Sequence, residues 1–442
     1  MDVSEFGVFV TDGSGRVVAH NSALTDFSGL DGELELSLVY DTYRSPPAAR
    51  RCCQAGFRPQ VACRVRVPGD DQILAFRLMR AGLGGARAAS MAEALTCPAS
   101  DFARDAALLA LTARADGVTR EAYDRAVDAG EVVVAHVVRG AIHALAPEDH
   151  AVYGRALLGQ DERELSAQLG QQVSAVTKAH GISRADALEE AAAATADALA
   201  GGAALDKNAL HDALRQRVRP ELMPWCRGCE SHHVLPMLWR FATIRAGVRL
   251  DAARRYRLAE LGPTPPAARA LGGFLRFYGP ARPADFAAWA GLSSAHAKRV
   301  WTEVTDDLAE VPTDHGTAWL LPEDVPVLES ATAPGGVHLL PPGDPVLQKP
   351  NRELVAPDPG VRKRLFRPVA SPGAVLHDGR LAGLWRSKAK GRRLEVTVEA
   401  LGPLPYDDLE TEARRVAALR GAEEAVVSGL RSPAAHRGTS AR

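Results

Sequence analysis

Beyond residue 69 the apolar positions fall mostly at helical spacing, and beyond Pro334 they fall at strand spacing. Ile73, Phe76, Leu78 and Met79 share a helix face, and Ala106 to Thr112 reads as a second helix. A third runs from Thr119 to Ala129, with Thr119 as N-cap and Glu121 in the first turn. Glu131-Val132-Val133-Val134 and Ala141-Ile142-His143-Ala144-Leu145 are β-like runs around Arg139-Gly140. From Asp161 to Val218 the pattern is helical throughout. Ser183 caps one helix, which Gly201-Gly202 ends, and Asp206 caps the next, carrying Leu210, Leu214 and Val218. Ala267 to Tyr278 and Pro283 to Ala290 are helices, and Gly291-Leu292-Ser293-Ser294 makes a turn. The helix that follows carries Ala297, Val300, Val304 and Leu308 on one face and His296, Lys298, Arg299 and Thr302 on the other. Glu310-Val311 and Ala318 to Leu321 bracket Asp314-His315-Gly316 as a wing.

Past Pro334 the candidate strands are Val337 to Leu340, Leu365 to Val369, Ala374 to Leu376, Leu381 to Trp385 and Leu394 to Val398. Asp378-Gly379 is a hairpin turn signal. Leu409 to Leu419 is a terminal helix, and residues 431–442 are expected to fray. Helices followed by a two-stranded ribbon make a winged helix. The expected fold is therefore α+β, mostly α: tandem winged-helix (helix-turn-helix) units followed by a small antiparallel β-barrel. The divisions expected are an N-terminal extension (1–68), a first winged helix (69–155), a helical second winged-helix-like region (156–260), a third winged helix (261–333), the barrel (334–402) and a terminal helix with its tail (403–442). Within the extension, Gly7 to Val18 reads as a hairpin. The Arg-, Pro- and Cys-rich run after it suits either a mis-started or a poorly ordered segment.

Composition adds little until it is read locally. The net charge is −1, so the chain as a whole does not announce a polyanion partner. Positions 362 to 393, however, carry Arg362, Lys363, Arg364, Arg367, Arg380, Arg386, Lys388, Lys390, Arg392 and Arg393 against the single acid Asp378. Such a stretch is either a phosphate-binding field or a solvated charged surface. Few cysteines and no secretory signal point to a reduced, cytoplasmic setting, and no apolar run has the length of a membrane span. Cys226-Arg227-Gly228-Cys229 with His232 has the residue types and spacing of a zinc site, with His232 or His233 as simple helix-starting residues the alternative. No other cofactor is expected.

The segment Val138-Arg139-Gly140-Ala141-Ile142-His143-Ala144-Leu145-Ala146-Pro147-Glu148-Asp149 resembles the Arg-Gly-Thr-Leu-His-Leu-Val-Pro-x-Glu-Asp hallmark of a family of bacterial winged-helix DNA-binding proteins. That family includes the interstrand-crosslink-repair (alkylpurine) DNA glycosylases. The Tyr278 to Phe286 block with Trp289 and Gly291, and the Leu339 to Pro345 block with Gly379, Gly383 and Trp385, repeat the resemblance in order along residues 70–420. In the enzymes a Gln-x-Gln or Gln-x-Asp pair holds the catalytic water. Aligned through Ala106, Ala107, Leu109, Ala110 and Leu111, the two glutamine slots fall on Ser100 and Phe102. Phe can neither position water nor stabilise a cationic sugar. Asp101 between them is a carboxylate of the kind that supports glycosidic cleavage, or simply a helix N-cap. Many relatives carry Trp just before the hallmark; the corresponding residue here is His136.

The resemblance implies that double-stranded DNA, alkylated or crosslinked, is the partner of a monomeric, nucleoid-associated protein. It places Lys298 and Arg299 on a recognition helix and Arg364, Arg367, Arg386 and Lys388 on a phosphate-gripping barrel. Arg139 is either a phosphate contact or an arginine buried against Asp149 or Glu148, and His143 is either near the lesion pocket or structural. Three functions follow: DNA binding without hydrolysis; an active glycosylase using Asp101, assisted by Ser100; and a transcriptional regulator.

Overall fold

The computed structural model describes residues 67–101 and 105–429, together with three strands nearer the N-terminus. Phe102, the fraying expected at 431–442, and most of the 1–68 extension lie outside the described residues. Strands β1 (Val8–Thr11), β2 (Val17–His20) and β3 (Glu35–Leu38) form one antiparallel sheet in the order β2-β1-β3, so the hairpin expected there is present.

The main body opens with α1 (Asp70–Leu78) and the short strand β4 (Ala99–Ser100), then α2 (Ala106–Thr112) and α3 (Arg120–Ala129). The Thr119 hydroxyl caps α3 by accepting from the Ala122 N–H. Strands β5 (Val133–His136) and β6 (Ile142–Leu145) follow as a hairpin. The long helical stretch resolves into α4 (Glu162–Ala179), α5 (Arg184–Ala198) and α6 (Lys207–Leu214), capped by Asp161, Ser183 and Asp206. A hairpin of β7 (Trp225–Cys226) and β8 (Ser231–His232) leads into α7 (Pro236–Ala246), β9 (Val248–Leu250) and β10 (Tyr256–Leu258). Helices α8 (Ala267–Tyr278), α9 (Pro283–Ala290) and α10 (Ser294–Thr302) precede a ribbon of β11 (Ala309–Thr313) and β12 (Gly316–Leu320). The remainder comprises β13 (Val337–Leu340), α11 (Pro359–Leu365), β14 (Gly373–His377), β15 (Arg380–Lys390), β16 (Arg393–Ala400), α12 (Tyr406–Leu419) and β17 (Glu424–Ser428).

Two corrections arise at the C-terminal end. The strands there make an open sheet in the order β13-β14-β15-β16-β17, in place of a small antiparallel barrel. Its last pair, β16 with β17, is parallel because α12 carries the chain back across the sheet before β17 begins. The expected strand at Leu365 to Val369 is absent. Asp358 accepts from the Val361 N–H and Pro359 occupies the first turn, starting helix α11, whose last residue is Leu365.

A second, central sheet, ordered β10-β9-β5-β6-β4, is buried on both faces where β5 and β6 run. Val134 and Ala144 pack into one hydrophobic cluster with Leu169, Leu210 and Leu238, which also takes in Val375, Val396 and Val427. Val133 and Leu145 point the other way, into a cluster with Phe274, Phe286 and Val300. Alternation along β5 and β6 thus feeds two cores.

The strongest polar tie between the early and late parts of the chain is Arg114 with Asp344. Both are buried, and the contact is bidentate at 2.7 and 2.8 Å. Arg114 also donates to the Ala81 and Ala110 carbonyls, and Asp344 accepts from the Val346 N–H. Removing one partner leaves a buried charge without compensation. Asp344→Ala is expected to lower unfolding free energy by about 3–5 kcal/mol in chemical denaturation. The Arg114→Met, Asp344→Leu double variant is expected to lose less than Asp344→Ala alone.

Candidate functional site

The central sheet sets which way each candidate residue points. Ala99 pairs with Ala144 and Ser100 with His143, and the Asp101 N–H extends the ladder by donating to Ile142 (2.8 Å). Because side chains alternate, Ser100 and Asp101 lie on opposite faces. Ser100 faces the loop at Gly343. Asp101 is directed toward the turn between β9 and β10. The two candidates for catalysis are therefore not brought together.

Asp101 is buried, and both its carboxylate oxygens are engaged. One accepts from the Ala107 N–H at the start of α2 (3.2 Å), and the other accepts from the Arg254 guanidinium. Arg254 also donates to the Asp101 carbonyl at 3.0 Å. The turn that presents Arg254 is itself fastened, since the buried Asp251 carboxylate accepts from the Arg255 N–H and Nε, both at 2.8 Å. Burial raises the Asp101 pKa above the ordinary carboxylate value, and the Arg254 charge opposes that rise. Asp101 thus ties α2 to the β9–β10 turn.

Two residues past Arg254, Tyr256 belongs to an aromatic cluster that the sequence did not reveal. His136 stacks on Tyr256 with ring centroids 6.3 Å apart and meets Trp239 edge-on at 5.5 Å; Trp239 and Tyr256 lie 5.2 Å apart. The Thr243 hydroxyl donates to the Arg240 carbonyl (2.7 Å), so it accepts from His136 Nδ1 (2.9 Å). Burial pushes the His136 pKa down to about 3, with the Arg240 charge adding to the effect. His143, on the other face, donates from Nδ1 to the Ala141 carbonyl at 2.9 Å. Burial takes its pKa down to about 4, although that hydrogen bond works in the opposite direction.

The hallmark residues Arg139 and Gly140 make the β5–β6 turn, both with positive φ (58° and 64°). A Cβ on Gly140 would stand 3.2 Å from Phe241 and from the Arg240 side chain, tighter than ordinary contact, and the positive φ also favours glycine. Arg139 is half-buried and pairs with neither Asp149 nor Glu148. It donates to the Trp289 carbonyl and to Gln348 Oε1. Gly291 leaves the room this side chain needs, since a Cβ there would come within 2.7 Å of it.

The basic candidates divide in the same manner. Arg299 makes a bidentate pair with the buried Glu164 of α4 (3.1 and 3.0 Å), whereas Lys298 beside it is exposed. Arg364 pairs with Glu399, Lys390 with Glu395, Arg392 with Glu423 and Arg393 with Glu424. Strands β16 and β17 thus bring acids beside the basic stretch. Arg386 is exposed and donates to the Ala370 carbonyl, while Arg367 and Lys388 are exposed with no acidic partner among the described residues. On the β7–β8 hairpin, Cys226 and Cys229 come together with His233 rather than His232. His232 sits opposite Trp225 in the ladder, one register position from Cys226, and therefore faces the other way.

Residues 93–422 match the model of the AlkZ-like DNA glycosylase family. The chain belongs to this family. It is thus a DNA-repair-glycosylase-like protein whose family substrate is DNA. Among solved structures it is similar to the Streptomyces sahachiroi DNA glycosylase AlkZ, with a TM-score of 0.59 and 23% identity over 82% of this chain and 99% of that one. At that identity the likeness is one of fold. No curated protein sequence matches the chain. No helix among the described residues is long and apolar enough to cross a membrane.

The buried histidines carry a pH prediction. An unfolded histidine takes a proton below pH about 6.5. Native His143 resists protonation until about pH 4. Between those values the unfolded state binds more protons, so this residue's contribution to stability is full above 6.5 and falls as pH drops. Thermal melts are expected to show a shallower loss between pH 6.5 and 4 for His143→Gln than for the parent.

Proposed function

We propose that this chain binds duplex DNA, alkylated or crosslinked, without hydrolysing the N-glycosidic bond by the glutamine-dependent route of its family. The observation that carries this reading is the state of Asp101. The carboxylate beside the substituted glutamine slots is buried, with one oxygen accepting from Arg254 and the other from the Ala107 N–H. Ser100, on the opposite face, does not supply the missing group.

DNA engagement is assigned to winged-helix units. The one read most directly comprises α8, α9 and α10 with the β11–β12 ribbon as wing, and its exposed Lys298 suits a phosphate or base-edge contact. Arg367, Arg386 and Lys388 supply a second contact to phosphate. The setting for this reading is the cytoplasm, on the nucleoid, with the protein acting as a monomer. A second reading, an active glycosylase built on Asp101, is favoured by the raised proton affinity of that buried carboxyl.

Affinity for a short duplex is expected to fall log-linearly with salt. Lys388→Ala and Arg367→Ala should each reduce the slope by about one unit. Arg299→Ala is instead expected to lower folding stability, because it strands buried Glu164. Binding that ignores salt would remove the proposal.

The two chemical readings separate on a duplex carrying N7-alkylguanine or an interstrand crosslink, scored for abasic sites. Binding without abasic product is the expected result. Robust product that disappears in Asp101→Asn would establish the second reading instead.

A further inference from the structure

The strongest unassigned constellation lies outside the Asp101 region, on the β7–β8 hairpin. Cys226 ends β7, Cys229 follows in the turn, and His233 comes directly after β8, just before α7. One ligand atom from each of the three lies within 4.8 Å of the others. Both cysteines are free thiols.

The backbone is arranged as a Cys-x-x-Cys metal loop needs. The Cys229 N–H donates to the Cys226 carbonyl at 3.3 Å, closing a tight turn. Positive φ at Glu230 (47°) then turns the chain back into β8. His233 is oriented by a second hydrogen bond: Nδ1 lies 2.9 Å from the Val234 carbonyl and must donate to it, because a carbonyl only accepts. In the neutral imidazole this places the proton on Nδ1 and leaves Nε2 to a ligand, the usual arrangement for a metal-bound imidazole.

We propose that Cys226, Cys229 and His233 bind one zinc ion, with water in the fourth position. Zinc takes sulfur at about 2.3 Å and nitrogen at about 2.0–2.1 Å, in tetrahedral geometry. The three ligand atoms lie near enough together for side-chain rotation to close them on one ion. The exposed position of Cys229 leaves the fourth coordination site to solvent. Thiolate and imidazole together select a zinc-type cation over magnesium or calcium.

The ion would fasten the hairpin that carries exposed Trp225 onto the start of α7. It would also stand next to a line of touching rings. His233 is 5.5 Å from His211, and His211 is 4.6 Å from Trp239. A metal at the hairpin thus braces the helix that supplies Trp239 and Arg240 to the aromatic cluster.

The test uses the full chain, purified under reducing conditions without chelator. Elemental analysis is expected to find equimolar zinc. Replacement by Co(II) is expected to produce the thiolate-to-cobalt charge-transfer band and the visible bands of a tetrahedral site. Cys226→Ser and Cys229→Ser should abolish the charge-transfer band, and His233→Gln should weaken binding of added zinc at least tenfold. His232→Gln should leave metal content and spectrum unchanged, which also controls for damage to the hairpin. Substoichiometric metal combined with no uptake of added zinc by the reduced protein would overturn the proposal. So would equal loss in His232→Gln and His233→Gln, or a Cys226–Cys229 disulfide as the resting state.

Discussion

The buried, bidentate Arg114–Asp344 ion pair fastens the early part of the chain to the late part. It joins residues 230 positions apart; Arg114 also serves the Ala81 and Ala110 carbonyls, and Asp344 the Val346 N–H. A guanidinium in a dry interior must have its donors satisfied at fixed positions. The pair therefore sets how the end of α2 and the loop after β13 meet. Both sheets and both cores are assembled around that junction, since Leu339 packs into one cluster and Leu340 into the other.

The same chemistry recurs elsewhere and changes how the arginines are read. Arg77 donates to the Gly279, Pro280 and Pro350 carbonyls and to Asn351, all far from it in sequence. Arg139 reaches Trp289, Arg254 reaches Asp101, and Arg299 reaches Glu164. A planar fork with five donors suits this work better than an ammonium does. Several arginines that a DNA-binding protein would be expected to turn outward are instead fasteners between segments. Contact with phosphate is left to fewer, exposed residues, Lys298, Arg367 and Lys388 among them.

Local physics made much of the fold legible in advance. Helices α2, α8 and α9 and strand β13 coincide with the runs their spacing predicts, and Thr119, Ser183 and Asp206 cap as their side chains suggest. What escaped was set by distant partners. Nothing near Asp101 announces Arg254, 153 residues on, and nothing near Arg299 announces Glu164, 135 residues back. Counting charge along residues 362–393 missed Glu395, Glu399, Glu423 and Glu424, which strand pairing brings alongside. His232 and His233 are equivalent by spacing, and only the register of a four-residue ladder tells them apart. The aromatic cluster combines three elements, so no single window of sequence displays it.

The larger hydrophobic cluster has a consequence for how the molecule comes to exist. It contains Ala94 and Leu108 from one end of the described chain and Val396, Leu409 and Val427 from the other. During synthesis, the helices α4 to α7 can associate early through contacts close in sequence. Helix α2, however, keeps part of its apolar surface uncovered until α12 has left the ribosome. Contacts of such long sequence separation form late and slowly. The nascent protein therefore passes through an interval in which that surface is open to aggregation.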